Sequence, residues 1–321
     1  MKNIGIIIEL ESDSGKVKKT CFGMITLANQ KNSELFALVV NADIKTLKPE
    51  LESFGITNIV DIVLEPEHQH NPVIRAKAMI KAIQKFDIDA VFGLSTPTGK
   101  DLLPRMAAQF DAPLVMDCIS VDLENCLAKT SQYSGKAIAT IKTQGDIQIF
   151  GIKPNAVEPV KAKTSARVLK FDKPDFSTNQ FQLIKTGKTD KDADIDLAEA
   201  DIIIAGGRGM KNSENFTALF QCAKVLNAGA GASRVAVDEG WVPYSMQVGQ
   251  TGEKVNPKVY IACGISGSIQ HFAGMKTSQM VIAINSDKDA PIMSNSDYYV
   301  VADALEVIPE ITKLLEKTIK I

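Results

Sequence analysis

Four polar or glycine-bearing segments stand where an apolar run of strand character ends. Gly206-Gly-Arg-Gly209 follows Ala200 to Ala205, and Gly264-Ile-Ser-Gly-Ser268 follows Val259 to Cys263. Asn285-Ser-Asp287 follows Met280 to Ile284, and Asp303 follows Val301. Glycine lets a backbone come close to a ligand, and N–H groups at a helix start favour phosphate oxygens. In an open parallel sheet, the loops beyond the carboxyl ends of the strands converge on one crevice. Four such loops point to a nucleotide-sized anion. Gly206-Gly-Arg-Gly209 by itself says less: Asn212 stands where Gly-x-Gly-x-x-Gly needs its third glycine, and glycine turns between strand and helix are commonly plain geometry. Trp241 to Gly252 is a long uncharged polar stretch where a short connection would suffice, so it is either a binding loop or a solvated surface loop. His271 beside Phe272 reads equally as a structural histidine, and Arg234 at a strand start as a solvated charge.

The elements that must hold these segments are those of an α/β protein. Ile4 to Ile8, Leu35 to Val40, Ile59 to Leu64 and Ala90 to Leu94 are short apolar runs expected to form buried strands. Between them, Asn71 caps a helix with Pro72 at its first position and a face of Ile74, Ala76, Met79, Ile80 and Ile83. A second helix fits Asp101 to Phe110. Pro113 to Lys170 breaks into short β-rich runs, expected to be antiparallel strands appended to a parallel sheet. Lys185 to Asp196 is dense in charge and reads as the connection between domains, giving an N-terminal α/β domain (1–190) and a second domain (191–321). The second restarts with a strand running into Gly206, then a helix with Phe216, Leu219, Phe220 and Ala223 inward. Further strands are expected at Arg234 to Val237, Val259 to Cys263, Met280 to Ile284 and Tyr298 to Val301. A last helix carries Pro309 in its first turn and turns Ile311, Leu315 and Ile319 inward. Both domains are expected to be doubly wound, Rossmann-like units.

A chain of 321 residues exceeds one comfortable core. Its formal net charge of -2 gives no electrostatic reason to expect nucleic acid or an anionic membrane as partner. No apolar run has the length of a membrane span, and Met1 is followed directly by strand-like sequence, so neither membrane insertion nor a leader is expected. Five scattered cysteines without Cys-x-x-Cys suit reduced thiols in a cytosol-like compartment. Glu65-Pro-Glu-His-Gln-His70 imitates a metal cluster but lacks matched ligands elsewhere, and is read as surface.

Tyr260-Ile-Ala-Cys-Gly-Ile-Ser-Gly-Ser-Ile-Gln-His271, then Gly274 and Val281-Ile-Ala-Ile-Asn285, resembles the signature of electron transfer flavoprotein α subunits. Gly206 to Gly209, Gly231-Ala-Ser-Arg234, Gln247-Val-Gly-Gln-Thr-Gly252 and Val301-Ala-Asp303 are similar to the family's other flavin loops, in the same order. The match is dense over residues 200 to 310, whereas residues 1 to 190 resemble the family in length and α/β pattern alone.

The resemblance implies one noncovalent FAD held by Arg208, Ser233, Val248, Gly249, Gln250, Thr251, the segment Ser266, Gly267, Ser268, Ile269, Gln270 and His271, and then Asn285, Asp303 and Ala304. It places Arg234 against the isoalloxazine, Thr251 at its N5 edge and His271 at the pyrimidine carbonyl, with no catalytic residue and no metal. Ser266 and neighbouring N–H groups serve the pyrophosphate, and Asn285 and Asp303 the adenosine end. A cation or an N–H donor beside the ring suits an electron carrier, because negative charge arrives there on reduction. The implied partners are a β subunit carrying AMP or a second FAD, acyl-CoA dehydrogenases as donors and a quinone oxidoreductase as acceptor. The implied place is the bacterial cytoplasm, or the mitochondrial matrix if a presequence has been removed. Two other readings stay open: the α subunit of a flavin-based electron-bifurcating complex using NADH, and a nicotinamide-nucleotide-binding dehydrogenase domain with Asp238 on a ribose.

Overall fold

The computed structural model describes residues 2–11, 14–66, 68–133, 137–171 and 196–319. The chain divides into two compact units, Met1–Gln132 with Ile138–Lys188, and Tyr133–Ala137 with Thr189–Ile321. Most of the charged stretch read as a connection lies outside the described residues.

In the first unit β1 (Lys2–Ile7), α1 (Lys19–Ala28), β2 (Ser33–Val40), α2 (Ile44–Ser53), β3 (Asn58–Ile62), α3 (Pro72–Lys85), β4 (Ala90–Leu94) and α4 (Pro97–Phe110) alternate. Then come β5 (Leu114–Asp122), β6 (Leu127–Gln132), β7 (Ala137–Lys142), β8 (Gln148–Ile152) and β9 (Arg167–Phe171). Among the described residues they form one sheet ordered β7-β6-β5-β8-β4-β1-β2-β3-β9. Ile4, Ile6, Leu35 and Ala37 pack with α1 and α2 on one face, while Leu38, Val60 and Ile62 pack with α3 and α4 on the other. Burial on both faces is why these strands read as unbroken apolar runs rather than alternating ones.

The Asn71 side chain accepts hydrogen bonds from the backbone N–H of Val73 and Ile74, with Pro72 opening α3. The second helix starts at Pro97, four residues before Asp101, because Thr96 caps it through Gly99 N–H. That Thr-Pro start is the same signal as Asn71-Pro72. The antiparallel expectation for Pro113 to Lys170 holds for β5 with β6. It fails for β8, which runs parallel between β4 and β5, and for β9, parallel to β3. All five residues of β8 are buried, so Gln148-Ile-Phe-Gly-Ile152 carries the doubly covered pattern of an inner parallel strand.

The second unit contains β10 (Ile202–Gly206), α5 (Phe216–Leu226), β11 (Gly229–Ala232), α6 (Arg234–Asp238), β12 (Val259–Cys263), α7 (Ile269–Met275), β13 (Met280–Asn285), α8 (Pro291–Ser294), β14 (Tyr298–Val301) and α9 (Ala304–Ile319). The five strands are parallel in the order β11-β10-β12-β13-β14. Chain direction across the sheet therefore reverses between β10 and β12, where a crevice opens beyond the strand ends. Ile204 packs with α5 and α9, whereas Ile203 and Ala205 pack with Tyr260, Ala262, Met275 and Ile292 on the opposite face.

Three expectations change here. Arg234 to Val237 is helical, and the strand is Gly229-Ala-Gly-Ala232, whose small side chains give no apolar signal. Phe220 is 39% exposed, and Cys222 takes its place on the buried face of α5. Helix α9 begins at Ala304, so Pro309 lies inside it rather than in its first turn. Leu305 N–H bonds the Asp303 carboxylate at 3.0 Å, which supplies the earlier start.

Asn71→Ala removes an acceptor that serves two N–H groups at a nearly inaccessible helix start. It should destabilise the protein by about 1–2 kcal/mol in urea unfolding, whereas Asn71→Asp should retain most of the stability. An alanine variant with an unchanged midpoint would show that the cap contributes nothing.

Candidate functional site

The loops after β10 and β12 are packed backbone to backbone. Gly207 N–H donates to Cys263 O at 2.9 Å, and Gly209 N–H donates to Gly264 O at 2.9 Å. A Cβ on Gly209 would stand 2.7 Å from Gly264 Cα, and Gly264 itself has φ +61°. Only glycine fits this approach without a shift of backbone. The β13 loop joins through Asn285, whose Nδ2 donates to Ile265 O at 2.8 Å while its Oδ1 accepts Asp287 N–H at 3.0 Å.

Trp241 to Gly252 is not a free surface loop. Val248 N–H donates to Ala232 O at the end of β11, and Gln250 N–H to Gln270 O in α7. Gln247 Nε2 donates to Thr251 Oγ1 at 3.0 Å. Gly274 lets α7 approach this loop, since a Cβ there would lie 2.4 Å from Gly249 N.

Together these loops enclose a cleft of about 700 Å³, within the range of cofactor sites, roughly 300–1,000 Å³. Arg208, Ser233, Arg234, Val248, Gly249, Gln250 and Thr251 line it, as do Ser266, Gly267, Ser268, Gln270, His271 and Asn285. Ile269, Asp303 and Ala304 do not: Ile269 is 69% exposed, Ala304 is buried in the core, and the Asp303 carboxylate is divided between Leu305 N–H and Lys211. Lys211 Nζ lies 2.8 Å from Asp303 Oδ2 and lines the cleft. Its one signal in the sequence is its place two residues beyond Gly209. This hydrogen bond from Lys211 also holds the Asp303 carboxyl below its ordinary pKa.

The polar groups differ in what they can still offer. Arg234 opens α6, its Nε 3.1 Å from Asp238 Oδ2, with the side chain 67% exposed. Asp238 therefore ends a helix turn and faces Arg234, which removes the strand-end carboxylate that the nicotinamide reading needs. Ser268 caps α7 through His271 N–H, and both ends of the Asn285 amide are engaged within the loops. Ser233 Oγ and His271 Nδ1 are buried without a hydrogen-bond partner. Two such atoms on residues that line the cleft fit a site built for a polar ligand, because such groups are costly to leave unpaired. His271 Nε2 lies 3.0 Å from the Tyr260 hydroxyl. Burial pushes the His271 pKa down to about 4, and the Val248 carbonyl, which favours a proton on the ring, offsets this only in part. The imidazole is neutral at pH 7.

Residues 6–176 match the family model described as the electron transfer flavoprotein domain, and residues 196–276 match the electron transfer flavoprotein FAD-binding domain. The chain is 33% identical to the electron transfer flavoprotein subunit alpha of Syntrophomonas wolfei, over 98% of this chain and 99% of that one. It is 34% identical to the probable mitochondrial electron transfer flavoprotein subunit alpha of Caenorhabditis elegans, covering 96% and 93%. With the subunit alpha of Bacillus subtilis it shares 33% identity, covering 96% of each chain.

The native His271 ring takes its proton near pH 4, whereas an unfolded histidine does so near its ordinary 6.5. The unfolded state thus binds more protons between those values. Stability is complete above about pH 6.5 and falls with acidification toward pH 4, by up to about 3 kcal/mol from this residue. Urea unfolding at about pH 7 and about pH 5 should show a smaller loss for His271→Gln than for the wild type. Equal losses would remove His271 from the acid sensitivity.

Proposed function

The chain belongs to the electron transfer flavoprotein α subunits, an electron-carrier family, and on that premise we propose that its second unit holds one FAD noncovalently in the cleft beyond β10 and β12. One observation carries the reading: the glycine-backed loops of the matched FAD-binding region wall a cleft of cofactor size that contains two buried, unpaired polar atoms. Bound there, FAD supplies the electron uptake and release that no side chain of the cleft provides.

The protein's part is to bind, orient and bias. Backbone N–H groups around Ser266 to Ser268, with Arg208 and Lys211, would serve the pyrophosphate. Ser233 and His271 would take the polar edge of the ring system as neutral groups shielded from water, with Thr251 at the exposed rim. Arg234 would lie along the ring as the nearby cation. Its planar guanidinium suits an aromatic face, and Asp238 both orients it and weakens its field. Asn285 acts at one remove, by clasping the β12 and β13 loops together. Asp303 likewise acts through Lys211. The first unit would dock the β subunit, whose nucleotide is AMP or a second FAD. Acyl-CoA dehydrogenases would donate electrons and a membrane quinone oxidoreductase would accept them.

Acid extraction of the full chain purified with its β subunit should release FAD and leave no flavin on the peptide. A colourless complex, or flavin retained covalently, would overturn the assignment.

Arg234→Ala should lower the midpoint potential of the bound flavin more than it weakens FAD affinity. A cation gains most when an electron arrives beside it, whereas the pyrophosphate and adenosine contacts hold the cofactor in either state. Screening at this exposed position limits the shift to about 20–60 mV, a tenfold change being about 59 mV for one electron. Asp238→Ala should move the potential the opposite way. Loss of FAD from Arg234→Ala with an unchanged potential would make Arg234 a binding residue only.

A further inference from the structure

Pro243 leads into a single turn of 3₁₀ helix, Tyr244–Met246, closed by Met246 N–H on Pro243 O and by Gln247 N–H on Tyr244 O. Side chains three residues apart eclipse one another in such a turn. Tyr244 and Gln247 therefore leave it on the same side, and both reach Thr251. The Tyr244 hydroxyl donates to Thr251 O, and Gln247 Nε2 donates to Thr251 Oγ1 at 3.0 Å.

The two contacts differ in kind. Gln247 is buried, so its amide is a donor fixed from within, whereas Tyr244 is 64% exposed and holds Thr251 from the outer surface. An exposed ring buries little apolar area, and the hydroxyl is what this tyrosine contributes. Held at Oγ1 alone, the Thr251 peptide could still turn about its own torsions; held at O as well, side chain and peptide plane are fixed together. Glu253 N–H donates to Gln247 O at 2.7 Å, and a Cβ on Gly252 would lie 2.2 Å from that oxygen, so the chain folds back immediately after Thr251. Thr251 is exposed at the tip of this return and lines the cleft. Because Gln247 donates to Oγ1, the hydroxyl keeps its own proton to give.

We propose that Tyr244 is a positioning residue: its phenol braces the Thr251 carbonyl and, together with Gln247 on the hydroxyl, sets where the Thr251 side chain stands at the rim of the cleft. This rests on the flavin reading for what Thr251 meets, and on the Tyr244–Thr251 hydrogen bond for the brace. Without the brace the Thr251 peptide rocks, and its hydroxyl spends less time in one place. The loss falls on the reduced ligand more than on retention, because a donor near the ring gains most as negative charge arrives.

Hydrogen exchange on the full chain purified with its β subunit reads the brace itself. Tyr244→Phe, which removes only the hydroxyl, should speed amide exchange over residues 248–253 about five-fold, the scale of one hydrogen bond. Unchanged exchange overturns the proposal. Redox titration of the same complex reads the positioning, which a merely structural contact would not move. Tyr244→Phe should lower the flavin midpoint potential by about 28 mV, a three-fold change at about 59 mV per tenfold for one electron. A Thr251→Ala background keeps the carbonyl but has no hydroxyl to place, and there Tyr244→Phe should leave the potential unmoved. The same shift in both backgrounds would mean that Tyr244 acts without Thr251, and no shift in either would make it a loop contact only; both results reject the proposal. A complex without flavin would instead sink the flavin reading, while the exchange rates would still decide the brace.

Discussion

The cleft depends on the contact between the β10 and β12 loops, where the backbone of Gly207 to Gly209 lies directly against that of Gly264. The two strands are neighbours in the sheet but their following helices leave toward opposite faces, α5 to one and α7 to the other. Loops that diverge in this way would ordinarily splay apart. The hydrogen bonds from Gly207 and Gly209 to Cys263 and Gly264 hold them in register, and no side chain can be interposed. Asn285 then ties in the third loop, and the Val248 to Thr251 segment is pinned between β11 and α7. Each wall is fixed by backbone or by a short amide rather than by long flexible side chains, so the cleft is held in shape before any ligand enters.

Much of this was legible because both faces of the second sheet are covered. Apolar runs such as Val259 to Cys263 and Met280 to Ile284 could only be inner strands, so the polar residues after them had to fall on one edge. What escaped the sequence had physical reasons. Gly229 to Ala232 forms a strand from residues with almost no side chain, so neither periodicity nor β-propensity marks it, and the apolar residues that follow drew the strand assignment onto Arg234 to Val237. Once that segment is helical, Arg234 and Asp238 become neighbours four residues apart rather than opposite ends of a strand. The error in local structure was thus an error about which charge answers which.

The first unit shows a different limit. Its residues match a family model over 6–176, yet no short motif announces the relationship. The strand ends there are closed with protein groups: Thr96 Oγ1 bonds the buried Glu9 carboxylate, and Lys18 pairs with the same carboxylate at 3.3 Å. A unit whose strand ends are satisfied by its own groups offers no ligand-like loop to read, so what its sequence shows is the apolar pattern of its buried strands. Inner strand β8 illustrates the point, since Gln148 to Ile152 is identified by being wholly buried and not by any residue type.

The distribution of charge in the cleft follows from the cost of burial. Arg234 and Lys211 stay largely exposed and each has a carboxylate partner, Asp238 or Asp303, so neither cation is desolvated. Deeper in the wall the polar atoms are neutral: the Ser233 hydroxyl and the His271 ring. A full charge at that depth would meet a large desolvation penalty and would shift its pKa until it neutralised, which is the direction His271 has taken. On the proposed flavin reading, a site that accepts and releases an electron would gain from this arrangement. Buried neutral groups would stabilise added negative charge moderately, and the exposed cation would contribute a screened field that its counter-ion can trim. A buried guanidinium would bind the reduced ligand more tightly, yet it would oppose the release that a carrier requires.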